Sequence, residues 1–329
     1  MRAAGTMNPD STSSPPRADL DIVIVSWNAG DFLRACLRSL AHAQAATRAR
    51  WNVVVVDNAS TDGSTDGLTG APPQLTRLGN QENIGFAAAC NQGARAGTAA
   101  VILFLNPDVE VEAGELDAAL AYLAQPGNER IGVLGVRMHD ESDRLQSSCA
   151  RRPTPGRLVA HAAALDRVWP RLFPPHFMSG LDHAKTCKVD QVMGAFLLIR
   201  RALLDALGGF DQRFFLYYED ADLCLRARQA GWEVVHFAGA GVRHAGAGST
   251  RNAKARRLHQ LLRSRIQLIA KHHSYGSALA VAISAILIEV PARVVRACLR
   301  GSVVEMKDTL AGARMLLSDL PKLIGRSNR

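Results

Sequence analysis

Two apolar runs in this chain end in carboxylates. Val101-Ile102-Leu103-Phe104-Leu105 leads straight into Asn106-Pro107-Asp108, and Val53-Val54-Val55-Val56 delivers Asp57-Asn58. Apolar residues in succession, without polar alternation, suit a strand covered on both faces, as in a parallel sheet with helices on each side. Ligands of open α/β sheets bind outside the carboxyl ends of the strands. Acids at that edge predict a site for a metal ion or a polar ligand. A denser cluster, Glu219-Asp220-Ala221-Asp222, follows the aromatic run Phe214-Phe215-Leu216-Tyr217-Tyr218. Acids at a helix start complement the macrodipole, but three in four positions exceed what capping needs. One positioned carboxylate acting as general base is worth on the order of 10²–10⁴ in rate. Val242-Arg243-His244 enters Ala245-Gly246-Ala247-Gly248-Ser249, which makes His244 a candidate for metal or diphosphate contact.

Further polar groups gather at the same predicted edge. Ser26-Trp27-Asn28 ends the first apolar run, and Asp57 begins the series Asn58-Ala59-Ser60-Thr61-Asp62-Gly63-Ser64. Such residues also build turns and helix caps by local hydrogen bonding. Two acceptor-rich strand ends side by side additionally suit a ribose and a base edge. In Asn83-Ile84-Gly85-Phe86-Ala87-Ala88-Ala89-Cys90-Asn91 a glycine opens a run of small residues that can approach a sheet or ligand closely, and Asn91 faces either the ligand or solvent. For Asn106-Pro107-Asp108 the alternatives are an N-cap and a divalent-ion site. Hard cations are held by one or two carboxylates together with phosphate oxygens, and as Lewis acids they stabilise a departing diphosphate.

Positioning these groups requires alternating β and α elements. Strands are predicted at 21–25, 51–56, 101–105 and 131–136, with helices at 32–40, 86–96 and 115–123. That alternation predicts an α/β fold with a mostly parallel central sheet and right-handed crossovers. Residues 139–188 carry prolines at 153, 155, 170, 174 and 175 and weak periodicity, which predicts an irregular, mobile insertion over the site. A strand at 192–199, a short helix at 201–207, a helix at 220–230 and a strand at 232–236 complete the unit, with His236 expected in the core.

The ordered motif series resembles the family 2 glycosyltransferases, in particular their rhamnosyltransferase-like branch, over roughly residues 20–275. The matching segments are Val-Ser-Trp-Asn at 25–28, Asp-Asn-Ala-Ser-Thr-Asp-Gly-Ser at 57–64, Asn-Ile-Gly-Phe-Ala at 83–87, Asn-Pro-Asp at 106–108, Gly-Ala-Phe at 194–196, Glu-Asp-Ala-Asp at 219–222 and His-Ala-Gly-Ala-Gly-Ser at 244–249. The resemblance implies a GT-A (Rossmann-like) fold and inverting transfer from a nucleotide sugar to a glycan or lipid-linked acceptor, with rhamnose from dTDP-rhamnose as the branch's donor. It implies that Asp57 contacts the base, that Asp108 and His244 hold Mg²⁺ or Mn²⁺, and that Asp220 is the catalytic base, with Glu219 beside it. The implied nucleotide-sugar site comprises Ser26, Asn28, Asp57, Asn58, Asp62, Asn83, Gly85, Phe86, Asn91 and Asn106, and the acceptor side Gly194, Ala195 and Asp222. Asn106 stands where the family's metal motif has its first acid, leaving one carboxylate for the ion.

Composition narrows the alternatives. The six cysteines are scattered without metal-finger spacing, which predicts reduced thiols in a cytoplasmic protein. Residues 1–19, rich in Ser, Thr, Pro and Arg, read as a disordered lead-in and not as a signal peptide. The domain proper spans 20–250. Residues 251–329 hold 15 Lys/Arg against 4 Asp/Glu, a net of +11, whereas the rest of the chain is close to neutral. The apolar run at 278–288 falls short of the roughly 20 residues that span a bilayer. Together with its basic flanks it predicts an amphipathic helix lying peripherally on the cytoplasmic face of the membrane through 275–300, or else a core helix. Nucleic acid is not expected, because the basic tail lacks interleaved aromatics for stacking. A sugar-1-phosphate nucleotidyltransferase would want a glycine-rich phosphate loop at 26–30, which is missing. A glycosidase uses paired carboxylates but needs no nucleotide-like strand ends. A non-catalytic nucleotide-sugar-binding scaffold would have no use for Glu219-Asp220.

Overall fold

The computed structural model describes residues 18–178, 180–246 and 254–324. The predicted lead-in up to residue 17 and the motif residues 247–249 lie outside them. The first half holds the predicted strands and helices plus two strands that were not expected, β3 and β5: β1 (Leu20–Ser26), α1 (Asp31–Ala45), β2 (Trp51–Asp57), β3 (Leu75–Gly79), α2 (Phe86–Arg95), β4 (Val101–Leu105), β5 (Val109–Val111), α3 (Glu115–Ala124) and β6 (Ile131–His139). Next come β7 (Leu145–Gln146), β8 (Cys149–Ala150), α4 (Pro155–Ala162), α5 (Leu165–Val168), β9 (Cys187–Lys188) and β10 (Gln191–Val192). They are followed by β11 (Phe196–Arg200), α6 (Arg201–Ala206), α7 (Glu219–Gln229) and β12 (Glu233–His244). The chain then turns helical: α8 (Lys254–His272), α9 (Tyr275–Ser284), a π-helical segment Ala285–Glu289, α10 (Val290–Leu299) and α11 (Val303–Ile324).

The main sheet runs β3-β2-β1-β4-β11-β6-β12-β5. β1 is parallel to β2 and β4, with Ser26 level with Asp57, so their polar ends share one edge. The apolar runs lack alternation because both faces are covered. Ile22, Ile24, Val53, Val55, Leu103 and Leu105 pack toward α1 and α3. Val23, Val25, Val54, Val56, Ile102 and Phe104 pack toward α2, α6 and α7.

β11 departs from the parallel rule and inserts antiparallel between β4 and β6. The chain therefore enters β11 where β4 leaves, and the Asn106 amide donates to the Ala195 carbonyl at 3.0 Å. This reversal brings Gly194-Ala195 to the edge where Asp108 lies.

Two expectations change. Residues 139–188 are not irregular throughout. Pro155 occupies the first turn of α4, where its missing N–H is harmless, and Thr154 caps that helix by accepting from the Arg157 amide. Leu158 of α4 packs with Leu262, Ile266, Val281, Ala285 and Leu316 in a separate core built by the C-terminal helices. The apolar tail run also does not stop at Glu289 and Pro291. Tyr275–Leu299 is one helix of 25 residues, long and apolar enough by length and composition to cross a membrane, with 39% of its apolar window buried. The π-helical turn directly before Pro291 accommodates a residue that has no N–H to give and crowds the preceding turn. Glu289 is buried against Arg265 instead of ending the helix.

Candidate active site

The ends of β4, β11 and β12 and the start of α7 open onto one cleft of about 960 Å³, also lined by α4, α8 and α10. On its inner wall, Tyr217 and Tyr218 have φ of 69° and 65°. Left-handed backbone at two successive bulky residues is strained and persists only where the surroundings enforce it. Here the Leu216 carbonyl accepts from Ser264 Oγ at 2.8 Å, the Phe215 carbonyl accepts from the Phe86 amide at 2.7 Å, and Arg265 reaches the Tyr218 hydroxyl at 3.3 Å. The result is an abrupt start to α7 with Glu219 and Asp220 in its first turn.

These two carboxyls are poorly compensated. Burial, and then the charge of Asp220, push Glu219 well above the usual carboxylate range, and its Oε2 has no hydrogen-bond partner. Burial also raises Asp220, and hydrogen bonds from the Gly194 amide (2.9 Å), the Ala221 amide (2.8 Å) and the Gln191 side chain offset this only in part. Glu219 therefore holds its proton more tightly than an ordinary glutamate, beside a carboxylate more basic than an ordinary aspartate.

The same cleft is lined by Asp108 and His244. The Gln146 amide donates through Nε2 to the His244 carbonyl at 2.9 Å, which turns its Oε1 toward His244 Nδ1, also at 2.9 Å. An amide oxygen accepts only, so Nδ1 carries the proton and Nε2 presents its lone pair. That lone pair faces Asp108 Oδ1 at 3.6 Å, too long for a hydrogen bond. The Ala245 amide fastens the two segments by donating to the Asp108 carbonyl at 3.0 Å. A carboxylate and an imidazole lone pair facing each other, with the other ring nitrogen tied back, fit two ligands of a divalent ion. Among the described residues no group of three or more His, Cys, Asp or Glu side chains could hold a metal, so further ligands would come from substrate oxygens.

At the β1/β2 edge most of the expected ligand contacts are engaged internally. Burial raises Asp57, but hydrogen bonds from Thr65, Ser60 and Arg77 outweigh it and hold the carboxyl below its usual range. Asn58 is buried, and its amide accepts from the Asn80 side chain and the Ile84 amide while donating to Asn83 Oδ1 and the Gly85 carbonyl. Asn28, at φ 51°, accepts from the Thr61 amide, and Asp62 accepts from the Gly30 and Ser64 amides. These contacts clamp the loop after β2 onto the loop after β1. Gly85 is needed because, at φ 89°, a Cβ would lie 2.8 Å from the Phe215 carbonyl oxygen.

Of the residues expected at the site, Asn58, Asn83, Phe86, Asn106, Asp108, Gly194, Ala195, Glu219, Asp220 and His244 line the cleft. Ser26, Asn28, Asp57, Asp62 and Gly85 are not among its lining residues and hold the adjoining loops through the contacts above. Two are placed elsewhere. Asn91 is buried, and both ends of its amide bond the Phe210 backbone at 2.8 Å. Asp222 is fully buried against Arg226, Lys271 and His272. Neither faces a ligand. Gln146 and Gln191 were not anticipated. A lone glutamine in a region without periodicity carries no sequence signal, whereas the aromatic run before Glu219 does mark the strained turn.

The sheet, its antiparallel insertion and the acid-lined edge define a glycosyltransferase fold of the GT-A type. In fold the chain is similar to a mannosyltransferase from Pyrobaculum calidifontis solved with GDP-Man and Mn²⁺ (TM-score 0.54, 18% identity, 92% of this chain and 88% of that one). It is likewise similar to GalNAc-T7 solved with UDP, GalNAc and Mn²⁺ (TM-score 0.53, 13% identity, 94% and 58%). The family model "Glycosyl transferase family 2" matches residues 21–208, and "Glycosyl transferase family group 2" matches 176–306. A relative from Mycobacterium tuberculosis, N-acetylglucosaminyl-diphospho-decaprenol L-rhamnosyltransferase, is 32% identical over 78% of this chain and 85% of its own length. Rhamnosyltransferase WbbL of Escherichia coli is 27% identical over 64% and 77%. The chain belongs to glycosyl transferase family 2 and is a glycosyltransferase.

Proposed function

We propose that this enzyme transfers rhamnose, from dTDP-rhamnose, with inversion onto a saccharide carried on a prenyl diphosphate, in the assembly of a cell-surface polysaccharide. The observation that carries the reaction type is the carboxylate of Asp220, raised by burial and opening onto the same cleft as Asp108 and His244. The names of the Mycobacterium tuberculosis and Escherichia coli relatives support the sugar and the lipid-linked acceptor.

In this reading Asp220 accepts the proton of the acceptor hydroxyl as that oxygen attacks the anomeric carbon and the nucleoside diphosphate leaves from the opposite face. The Gly194 and Ala221 amides fix the Asp220 carboxylate for that transfer. Glu219, whose carboxyl burial pushes well above the usual range, lines the cleft beside it. Asp108 and His244 would hold Mg²⁺ or Mn²⁺, which when bound neutralises charge on the diphosphate. Asp57 and the clamped loops behind it shape the nucleoside end.

The exposed stripe Tyr275, Leu279, Ile283 and Leu287, spaced four residues apart on one helix face, with Arg296 and Arg300 beyond it, supports peripheral contact with the cytoplasmic face of a membrane. Transfer from a panel of nucleotide sugars to a short-chain prenyl-diphosphate saccharide tests the reading. dTDP-rhamnose should be the best donor, and absence of transfer from every donor would sink it. Asp108→Ala should weaken nucleotide binding with Mn²⁺ present, and an equal loss in chelator would remove the metal role.

A further inference from the structure

Two cations in the cleft have no counter-charge among the described residues. Arg256 and Arg257, at the beginning of α8, are exposed and line the cavity onto which Asp220 opens. Among the described residues neither has a hydrogen bond or ion pair. The other two arginines lining that cavity, Arg265 and Arg293, both pair with Glu289. None of the cavity's acids pairs with them. Asp166 lies 2.7 Å from His161, Asp108 faces His244, and Asp220 is held by amides. Helix stability does not explain the pair, since cations in a first turn oppose the macrodipole and no acid accompanies them. The same cavity is also lined by the apolar residues Leu158, Leu261, Met315 and Phe177. A dicationic spot beside an apolar wall matches an amphiphile with an anionic head.

We propose that Arg256 and Arg257 seat the diphosphate of the lipid-borne acceptor, its prenyl chain leaving over the Leu261, Met315 and Phe177 surface. This rests on the reading of the cleft as a site for transfer to a prenyl-diphosphate saccharide, and it assigns the part of the cleft that holds the carrier. Guanidinium forks pair bidentately with phosphate oxygens, and two that line one cavity match a diphosphate in charge. The apolar surroundings favour a prenyl diphosphate over the donor's nucleoside diphosphate, whose charge would be met by the divalent ion that Asp108 and His244 would hold.

The test uses the full-length protein and titration calorimetry with two probes, farnesyl diphosphate and dTDP with Mn²⁺. R256A/R257A should weaken farnesyl diphosphate by about 100-fold, corresponding to loss of two charge-assisted contacts, and leave dTDP within about twofold. R256K/R257K should recover part of the loss, because the charge returns without the fork. Both side chains are exposed, so the variants should keep the wild-type unfolding temperature. Equal weakening of dTDP would assign the arginines to the donor and overturn the proposal. Unchanged farnesyl diphosphate binding would also overturn it. Failure of the transfer reading itself has a different signature: the wild type transfers no sugar, yet binds farnesyl diphosphate in an arginine-dependent way.

Discussion

Glu219 and Asp220 begin the same helical turn as Asp222, and the three carboxyls live in opposite electrostatic worlds. Asp222 is fully buried, yet Arg226 at 2.7 Å, Lys271 at 2.6 Å and His272 at 2.7 Å surround it. Burial raises its carboxyl, but the His272 hydrogen bond, the Arg226 charge and Lys271 more than reverse that and hold it below the usual range. Glu219 and Asp220 face the cleft with amides or nothing for partners, and both are raised. Burial alone therefore does not decide what a carboxylate does; the groups facing it decide. Two cations and a histidine hydrogen bond make Asp222 a rivet between α7 and α8, and the absence of such partners leaves Asp220 basic enough to take a proton.

The largest effect that should separate the two roles is kinetic. Asp220→Asn keeps the shape and removes the base, so kcat should fall by about 10²–10⁴ while nucleotide affinity stays near wild type by calorimetry. The wild-type rate should fall with decreasing pH as Asp220 is protonated, and this acid limb should begin above the pH expected of an ordinary aspartate. Undiminished turnover in D220N would break the contrast by moving the base elsewhere.

Asp222→Asn should act on stability instead. Removing one member of a buried charge cluster strands the others and typically costs about 3–5 kcal/mol, measurable by urea unfolding. A carboxyl held low in the folded state contributes stability fully above its unfolded pKa, and loses it as pH falls through the folded one. The gap between wild type and D222N should therefore be wide at neutral pH and close only in strong acid. Turnover per folded molecule should survive; a kcat loss as large as that of D220N would erase the distinction.

That distinction was only half legible in the sequence. The acids at strand ends were visible because a fully apolar run such as Val101–Leu105 has one physical reading, a strand covered on both faces, and its end must lie at the sheet edge. The side each carboxyl takes was not visible, since Glu219-Asp220-Ala221-Asp222 looks uniform until α8, some 50 residues later, supplies Lys271 and His272. Asn91 was misjudged for the same reason: its partner, the Phe210 backbone, is 119 residues away. The antiparallel entry of β11 also escaped, because an apolar strand carries no direction in its composition. Local chemistry is encoded locally, and pairing across the fold is not.

The same logic extends across the cleft. His244 has one partner on Nδ1, and Gln146 leaves Nε2 free for chemistry. Gln146→Leu removes the group that fixes this tautomer, and losses of such orienting contacts run to about 10–100-fold in metal affinity. Mn²⁺ titration in the presence of dTDP should show a loss in that range, with metal-free nucleotide binding unchanged. An unaltered Mn²⁺ affinity would mean that the Gln146 contact is packing alone.

The smallest effect has the opposite sign to that of Asp222. Glu219 is raised in the folded state by burial and by its neighbour, so between its unfolded and folded pKa folding binds a proton that the unfolded chain releases. A raised carboxyl contributes stability fully below its unfolded pKa and loses it as pH rises toward the folded value. Glu219→Gln removes that proton uptake and should stabilise the protein at pH 7 by about 1 kcal/mol, the unmatched amide hydrogens offsetting part of the gain. The advantage should shrink as pH falls, by at most about 1.4 kcal/mol per pH unit. Two neighbouring acid-to-amide substitutions, D222N and E219Q, then move stability in opposite directions at one pH. If E219Q instead destabilises at pH 7, Glu219 is ionised and has a partner, and the division of this helical turn into a rivet and a reactive pair fails.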